Sequence, residues 1–255
     1  MFVSRIHSKI LVLVATLAVF VEGTDYCDPS LCHDGQAHIG CNHDGNFASS
    51  CQNPAMITLT QENKNFIVNA HNTKRDLVAG GHTQLEMACR MATMQWDDEL
   101  AYLAALNVRR CEITHDACRN TKAFKYSGQN LAMIALSVPP SIEQLLQNCI
   151  DMWYDEVRNT EMSHINRFPS SGFRAFGHFT VMMMDRNIRV GCAASSYDWA
   201  GMNATLFACN YATTNMIDYP IYQSCSTPAS ECESGRNSEF RNLCSTSENY
   251  DVNEW

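Results

Sequence analysis

Apolar and polar positions along the chain fall into helical and strand-like runs. Between Thr60 and Gly80-Gly81, Phe66, Ile67, Ala70, Leu77 and Val78 recur at helical spacing. Thr60 serves as N-cap, Glu62 sits in the first turn, and the glycine pair ends the helix. His71 follows Ala70 and lies one turn after Ile67, so it faces inward or borders the core, and Asn72 and Arg75 complete a His-Asn-x-x-Arg pattern. A second stripe, Leu100, Leu103, Ala104 and Val108, predicts a helix capped by Asp97 or Asp98 that ends near Cys111. A third helix opens after Pro139-Pro140 at the capping box Ser141-x-x-Gln144. It buries Ile142, Leu145, Leu146, Cys149, Ile150, Trp153 and Val157, with Glu156 one turn beyond Trp153 and close to that face.

Two apolar runs joined by Asp185-Arg186-Asn187 read as a β-hairpin, with residues 177–184 as its first strand and 188–192 as its second. Alternation sets His178, Thr180, Met182 and Met184 on one face and Phe179, Val181 and Met183 on the other. Residues 205–211 form a third strand. Ahead of the third helix, a polar loop carrying Cys118 leads to residues 127–131, where Gly128 marks a tight turn and Gln129 points its amide inward.

Composition divides the 255 residues into four parts. Residues 1–23 read as a secretory signal, with Arg5 and Lys9 before an apolar run and Gly23 near the cleavage point. Residues 24–54 are a cysteine-rich arm, 55–222 the main domain, and 223–255 a polar extension with Cys225, Cys232 and Cys244. No later stretch is long and apolar enough for stable membrane insertion. The net charge of −9 argues against nucleic-acid or anionic-membrane binding. Thirteen cysteines, all after residue 23, indicate an oxidising, extracellular destination, and the odd count leaves at least one thiol unpaired within the chain. Asn203-Ala204-Thr205 is a glycosylation sequon, making Asn203 a candidate acceptor. His33, His38 and His43, irregularly spaced in the arm, read as solvated loop residues rather than metal ligands.

His71, Gln129, Glu156 and His178 form a candidate site, since two imidazoles with an amide and a carboxylate suit a Zn²⁺-like ion. Spacing alone does not bring them together. The blocks His71-Asn72-Thr73-Lys74-Arg75, Gly128-Gln129-Asn130-Leu131, Trp153-Tyr154-Asp155-Glu156, Gly177-His178-Phe179-Thr180 with Val190-Gly191-Cys192, and Cys209-Asn210-Tyr211 occur in an order that resembles the CAP superfamily. That superfamily comprises cysteine-rich secretory proteins, antigen 5 and pathogenesis-related proteins, and the chain is most similar to the antigen 5-related, venom allergen-like proteins of insects. The resemblance implies an α+β fold, a three-layer α-β-α sandwich around an antiparallel sheet, with His71, Gln129, Glu156 and His178 lining one cleft. It makes His71 and His178 the metal ligands, with Zn as a cofactor that is possible but not required. It also implies the bridges Cys27–Cys41, Cys32–Cys118, Cys51–Cys111 and Cys192–Cys209. Cys89, Cys149, Cys225, Cys232 and Cys244 remain unassigned, the tail trio supplying one bridge at most and Cys149 reading as a buried thiol.

Three departures from the family pattern concern the cleft. Gln129 stands where many members carry Glu, Val181 and Met184 stand where Gln and Trp are usual, and residues 212–215 replace the usual Pro and Gly-Asn. Functionally, the resemblance implies a secreted, monomeric, non-catalytic protein that binds a small lipid or sterol, or an extracellular protein target. Apolar faces around Phe66, Ile67, Leu145, Leu146 and Ile150 would border a lipid pocket. The alternatives are a metal-dependent hydrolase with Glu156 as base, and an inhibitor-like ligand that engages its target through the tail. No His-Glu-x-x-His, Gly-x-Ser-x-Gly or catalytic-cysteine context supports the hydrolase.

Overall fold

The computed structural model describes residues 24–255, so the expected signal at 1–23 lies outside the described residues. Strands β1 (Ala55–Ile57), β2 (Gln95–Trp96), β3 (Gly128–Leu136), β4 (Arg189–Trp199) and β5 (Met202–Tyr211) build one sheet. Its order is β1-β4-β5-β3, antiparallel throughout, with β2 added to β4 as a short parallel pair. Helices α1 (Gln61–Ala79), α2 (Asp98–Val108), α3 (Ile142–Tyr154), α4 (Met162–Asn166) and α5 (Gly177–Met183) accompany it.

Strand alternation explains the layers. On β4 and β5, Ala193, Leu206 and Ala208 meet Ala104 and Val108 of α2 on one face. On the other face, Val190, Cys192, Phe207, Cys209 and Tyr211 join Ile67, Ile150, Trp153 and Phe179 from α1, α3 and α5 in the larger core. Trp153 stacks on Phe207 with centroids 5.5 Å apart, and its indole N–H donates to the Leu131 carbonyl at 3.1 Å. The result is the expected helix–sheet–helix sandwich. Gly191 is required where α2 crosses β4, because a Cβ there would stand 2.3 Å from the Asp97 carbonyl oxygen.

The helix starts follow their caps. The Thr60 side chain accepts the Asn63 N–H while the Asn63 side chain reaches back, forming a capping box, with Glu62 in the first turn as expected. Asp97 caps α2 and Ser141 caps α3. Leu77, read from spacing as core-facing, is 41% exposed, whereas Ile67 and Val78 are fully buried.

The expected hairpin at 177–192 is not formed. Residues 177–183 are helical, and the hairpin is instead β4–β5, closed by Ala200 and Gly201, both at positive φ as a tight two-residue turn requires. A short buried apolar run carries no period that separates strand from helix, and here distant groups decide. Glu156 accepts hydrogen bonds from the His178 and Phe179 N–H groups at 2.9 and 3.0 Å, covering the start of α5. At the other end, buried Arg75 donates to the Met182 and Met184 carbonyls at 2.6 and 2.9 Å, and Asn187 donates to that of Val181 at 2.9 Å. A carboxylate at the N-terminus and a guanidinium at the C-terminus also match the helix dipole. Gly128 likewise opens strand β3 rather than a turn. Its lack of a side chain serves close packing, since a Cβ would lie 2.5 Å from the Thr213 carbonyl oxygen.

All four expected disulfides are present, Cys27–Cys41, Cys32–Cys118, Cys51–Cys111 and Cys192–Cys209, and Cys232–Cys244 is a fifth. The arm also corrects one histidine. His38 is buried, stacked on Tyr26 and bonded to the Asn120 carbonyl at 2.7 Å, which makes it structural rather than solvated. The segment after residue 222 contributes Leu243 to the main core, and Arg90 pairs with the buried Glu248 carboxylate at 2.6 Å. Asn203 lies at the start of β5, paired with Leu136 and Asp198.

Candidate functional site: an open cleft with two oriented histidines

A cleft of about 650 Å³ opens between β3, the 115–119 loop, the α5 N-terminus and the loops at 168–174 and 214–217. Gln129, placed by the β3–β5 register opposite Asn210, organises one wall. Its amide nitrogen donates to Asp116 Oδ2 and to Asn210 Oδ1, both at 2.9 Å. With both amide hydrogens committed, Gln129 Oε1 is left to accept from His115 Nδ1 at 2.8 Å. That bond fixes His115 as the Nδ1–H tautomer and leaves Nε2 with a free lone pair. Burial, with a smaller contribution from the Arg119 charge, lowers the His115 pKa and keeps the ring neutral. Arg119 pairs with Asp116 Oδ1 and donates to the Ser127 carbonyl, so its charge is tied to the wall.

Across the cleft, His178 Nδ1 meets Glu156 Oε1 at 2.6 Å, while Glu156 Oε2 takes the two backbone N–H groups of α5. Three contacts thus commit both oxygens of Glu156 to α5 and His178. His178, like His115, has one ring nitrogen engaged and Nε2 uncommitted. The mouth carries exposed apolar side chains, with Phe173 39% and Ile217 51% accessible. Arg174 lies beside them, and no ion pair holds it among the described residues.

Of the four residues expected to converge, Gln129, Glu156 and His178 do, and His71 does not. His71 is fully buried; Nδ1 contacts the Ile67 carbonyl at 2.8 Å and Nε2 the Tyr211 hydroxyl at 2.9 Å. Desolvation lowers its pKa to about 4. The His-Asn-x-x-Arg block is a structural unit. Asn72 exchanges hydrogen bonds with the Met94 backbone at 2.8 and 2.9 Å, and Arg75 braces α5. The histidine that faces His178 is His115, which sequence reasoning passed over inside a polar loop. Its only signal is position, next to an aspartate and shortly before Gln129.

Two imidazoles, each oriented through Nδ1 by a side-chain oxygen, are held as metal-ligating histidines usually are. No third ligand accompanies them, and no group of three or more His, Cys, Asp or Glu able to hold a metal exists among the described residues. Two histidines fall short of the three or four protein ligands of zinc sites, so solvent would have to complete the coordination of any ion held there.

Sheet order, helix layers, disulfide framework and this cleft define one class of protein. Residues 68–211 match the Cysteine-rich secretory protein family (CAP), and the chain belongs to it. Venom allergen-1 of Aedes aegypti is 37% identical over 94% of this chain and 96% of its own length. Tabinhibitin 3 of Tabanus yao is 28% identical over 99% of both. The crystal structure of NaASP2, 23% identical, superposes with a TM-score of 0.62 over 73% of this chain and 97% of that one.

Proposed function

We propose that the chain is a secreted, non-catalytic binder that engages an extracellular protein target through the mouth of the cleft. The observation that carries this reading is the pairing of a committed floor with an uncommitted rim. Phe173 and Ile217 expose apolar surface around Arg174, the combination enriched where protein surfaces associate. Beneath them, Glu156 is spent on the α5 cap and Gln129 offers no titrating group, so no free carboxylate remains to act as general base. This counts against the hydrolase alternative. The name of Tabinhibitin 3, which marks that relative as an inhibitor, is in keeping with a protein target. Five disulfides suit an extracellular destination.

A divalent ion such as Zn²⁺, if bound, would be held by His115 and His178 Nε2, and would supply Lewis acidity and positive charge at the cleft floor. Of the helix-face residues named from sequence, Ile67, Leu146 and Ile150 are 0% exposed and Leu145 3%, whereas Phe66 is half-buried and lines a separate groove with Val68, Trp96 and Phe240. A small lipid or sterol would lie in the cleft or in that groove.

The test is affinity capture from extracellular fluid, comparing the wild type with Phe173→Ala/Arg174→Glu. Loss of a hot-spot aromatic and reversal of a rim charge should weaken a genuine target by roughly tenfold or more. Equal recovery of every captured protein by both forms would refute the rim as the binding surface. Native mass spectrometry of the same material separates the other occupants: a lipid adduct would reassign the cleft to a carrier role, and zinc lost with His115→Ala would establish the metal site.

A further inference from the structure

The five disulfides leave Cys89, Cys149 and Cys225 as free thiols. They are not equivalent. Cys149 is sealed in the α3 face of the core at 0% exposure, and desolvation pushes its thiol up to about 12. Cys89 and Cys225 lie together. Ala88 and Ser224 form an isolated antiparallel bridge, flanked by Cys89 N–H donating to the Gln223 carbonyl at 2.9 Å and Cys225 N–H donating to that of Met87 at 3.0 Å. In such a bridge the residues next to the central pair project to the opposite side from it, so Cys89 and Cys225 share one side as diagonal neighbours. Cys225 Sγ donates to the Thr227 carbonyl at 3.1 Å and lies 3.4 Å from Ser230 Oγ, with the Cys89 side chain as a further contact. Burial first, then that contact, raises the Cys89 pKa to about 12.

The surrounding backbone is a seam. Within residues 87–91, the carbonyls of Met87, Ala88, Cys89 and Met91 accept from the N–H groups of Cys225, Ala229, Glu231 and Cys244 at 2.8 to 3.1 Å. The C-terminal segment thus lies along the connection between α1 and β2, with the two thiols at its centre.

We propose that Cys89 and Cys225 form a sixth disulfide in the secreted protein, stapling the start of the C-terminal segment to the α1–β2 connection. The oxidant is a dithiol-exchange disulfide of the secretory pathway. The half-buried Cys225, as thiolate, attacks one sulfur of that disulfide, and the other leaves as a thiol. Cys89 then gives up its proton and attacks the Cys225 sulfur, expelling the second thiol. One S–S bond forms as one breaks, and two electrons pass to the oxidant. Cys149 remains as the single thiol of the chain, unreachable in the folded state, so the odd cysteine does not link one copy to another.

The test uses protein secreted from insect cells, alkylated at harvest and digested without reduction after arginine and glutamate. Cys89 then lies in Met87–Arg90, and Cys225 in residues 190–231 together with the internal Cys192–Cys209 bridge. The expected result is one linked species, lighter by two hydrogens than the two peptides, with Cys149 the only cysteine alkylated and only after unfolding. Cys89→Ser should expose Cys225 to alkylation in the native protein, from no label to one per chain. Recovery of the two peptides unlinked, native labelling of Cys225 in the wild type, or Cys225 joined to a small thiol or a second chain would overturn the staple.

Discussion

Replacing Glu156 with alanine removes three contacts at once: the His178 and Phe179 N–H groups at 2.9 and 3.0 Å and the His178 ring nitrogen at 2.6 Å. Losing an N-terminal cap costs about 0.5–2 kcal/mol. A hydrogen bond to a charged acceptor contributes about 1.5–3 kcal/mol. The Glu156 side chain is 17% and that of His178 36% exposed, so water recovers part of each bond. A net loss of about 3 kcal/mol follows, most of it from the two backbone groups. For a domain of this size that corresponds to a fall in Tm of about 6–12 °C. Thermal and urea unfolding of Glu156→Ala, His178→Ala and the double variant separate the parts. His178→Ala alone should cost about 1 kcal/mol, and the cycle should show coupling of similar size. If Glu156→Ala costs no more than His178→Ala, the carboxylate does not hold α5 and the account of its helical state fails.

Two further perturbations test the buried and cleft histidines. His71 has a folded pKa of about 4 against an ordinary value near 6.5, so between these values the unfolded chain binds the extra proton. Stability should therefore be unaffected by this group above about pH 6.5 and fall on acidification through the window, by up to about 3 kcal/mol; urea unfolding at pH 7 and 4.5 of the wild type and His71→Gln should show a smaller acid loss in the variant, and equal losses would contradict it. Gln129→Glu would place a second carboxylate against Asp116 Oδ2 and beside His115 Nδ1. It should raise the His115 pKa and tighten Zn²⁺ binding by roughly tenfold, read by histidine NMR titration and calorimetry; an unchanged His115 titration would refute the tautomer assignment.

What the sequence disclosed was local, and what it hid depended on distant partners. Thr60, Asp97 and Ser141 announce three helices because a cap acts within a few residues. Residues 205–211 read as a strand from sequence and lie in β5, where they are buried on both faces. Residues 177–183 mislead because the groups that make them helical, Glu156 and Arg75, lie 22 and more than 100 positions away along the chain. The exchange of His71 for His115 has the same origin. A histidine on an amphipathic helix is conspicuous, but its ring was already needed to bridge Ile67 and Tyr211. His115 becomes a site residue only once Gln129, in β3, turns its amide oxygen toward it. The four disulfides expected from the family resemblance formed, since each joins residues whose places the arm and sheet dictate. Cys232–Cys244 and the Cys89–Cys225 contact needed the tail to be laid on the body.

The clamp on α5 also orders events in time. A seven-residue helix is too short to persist by itself in water. Its two braces arrive only when α1 and the turn after α3 have docked on the sheet, so α5 is assembled after the elements that hold it. Weakening either brace should then speed unfolding far more than it slows folding. The wall that carries His178 is correspondingly completed only once Glu156 and Arg75 are in place, and a chain that displays the complete cleft is one whose folding is already finished.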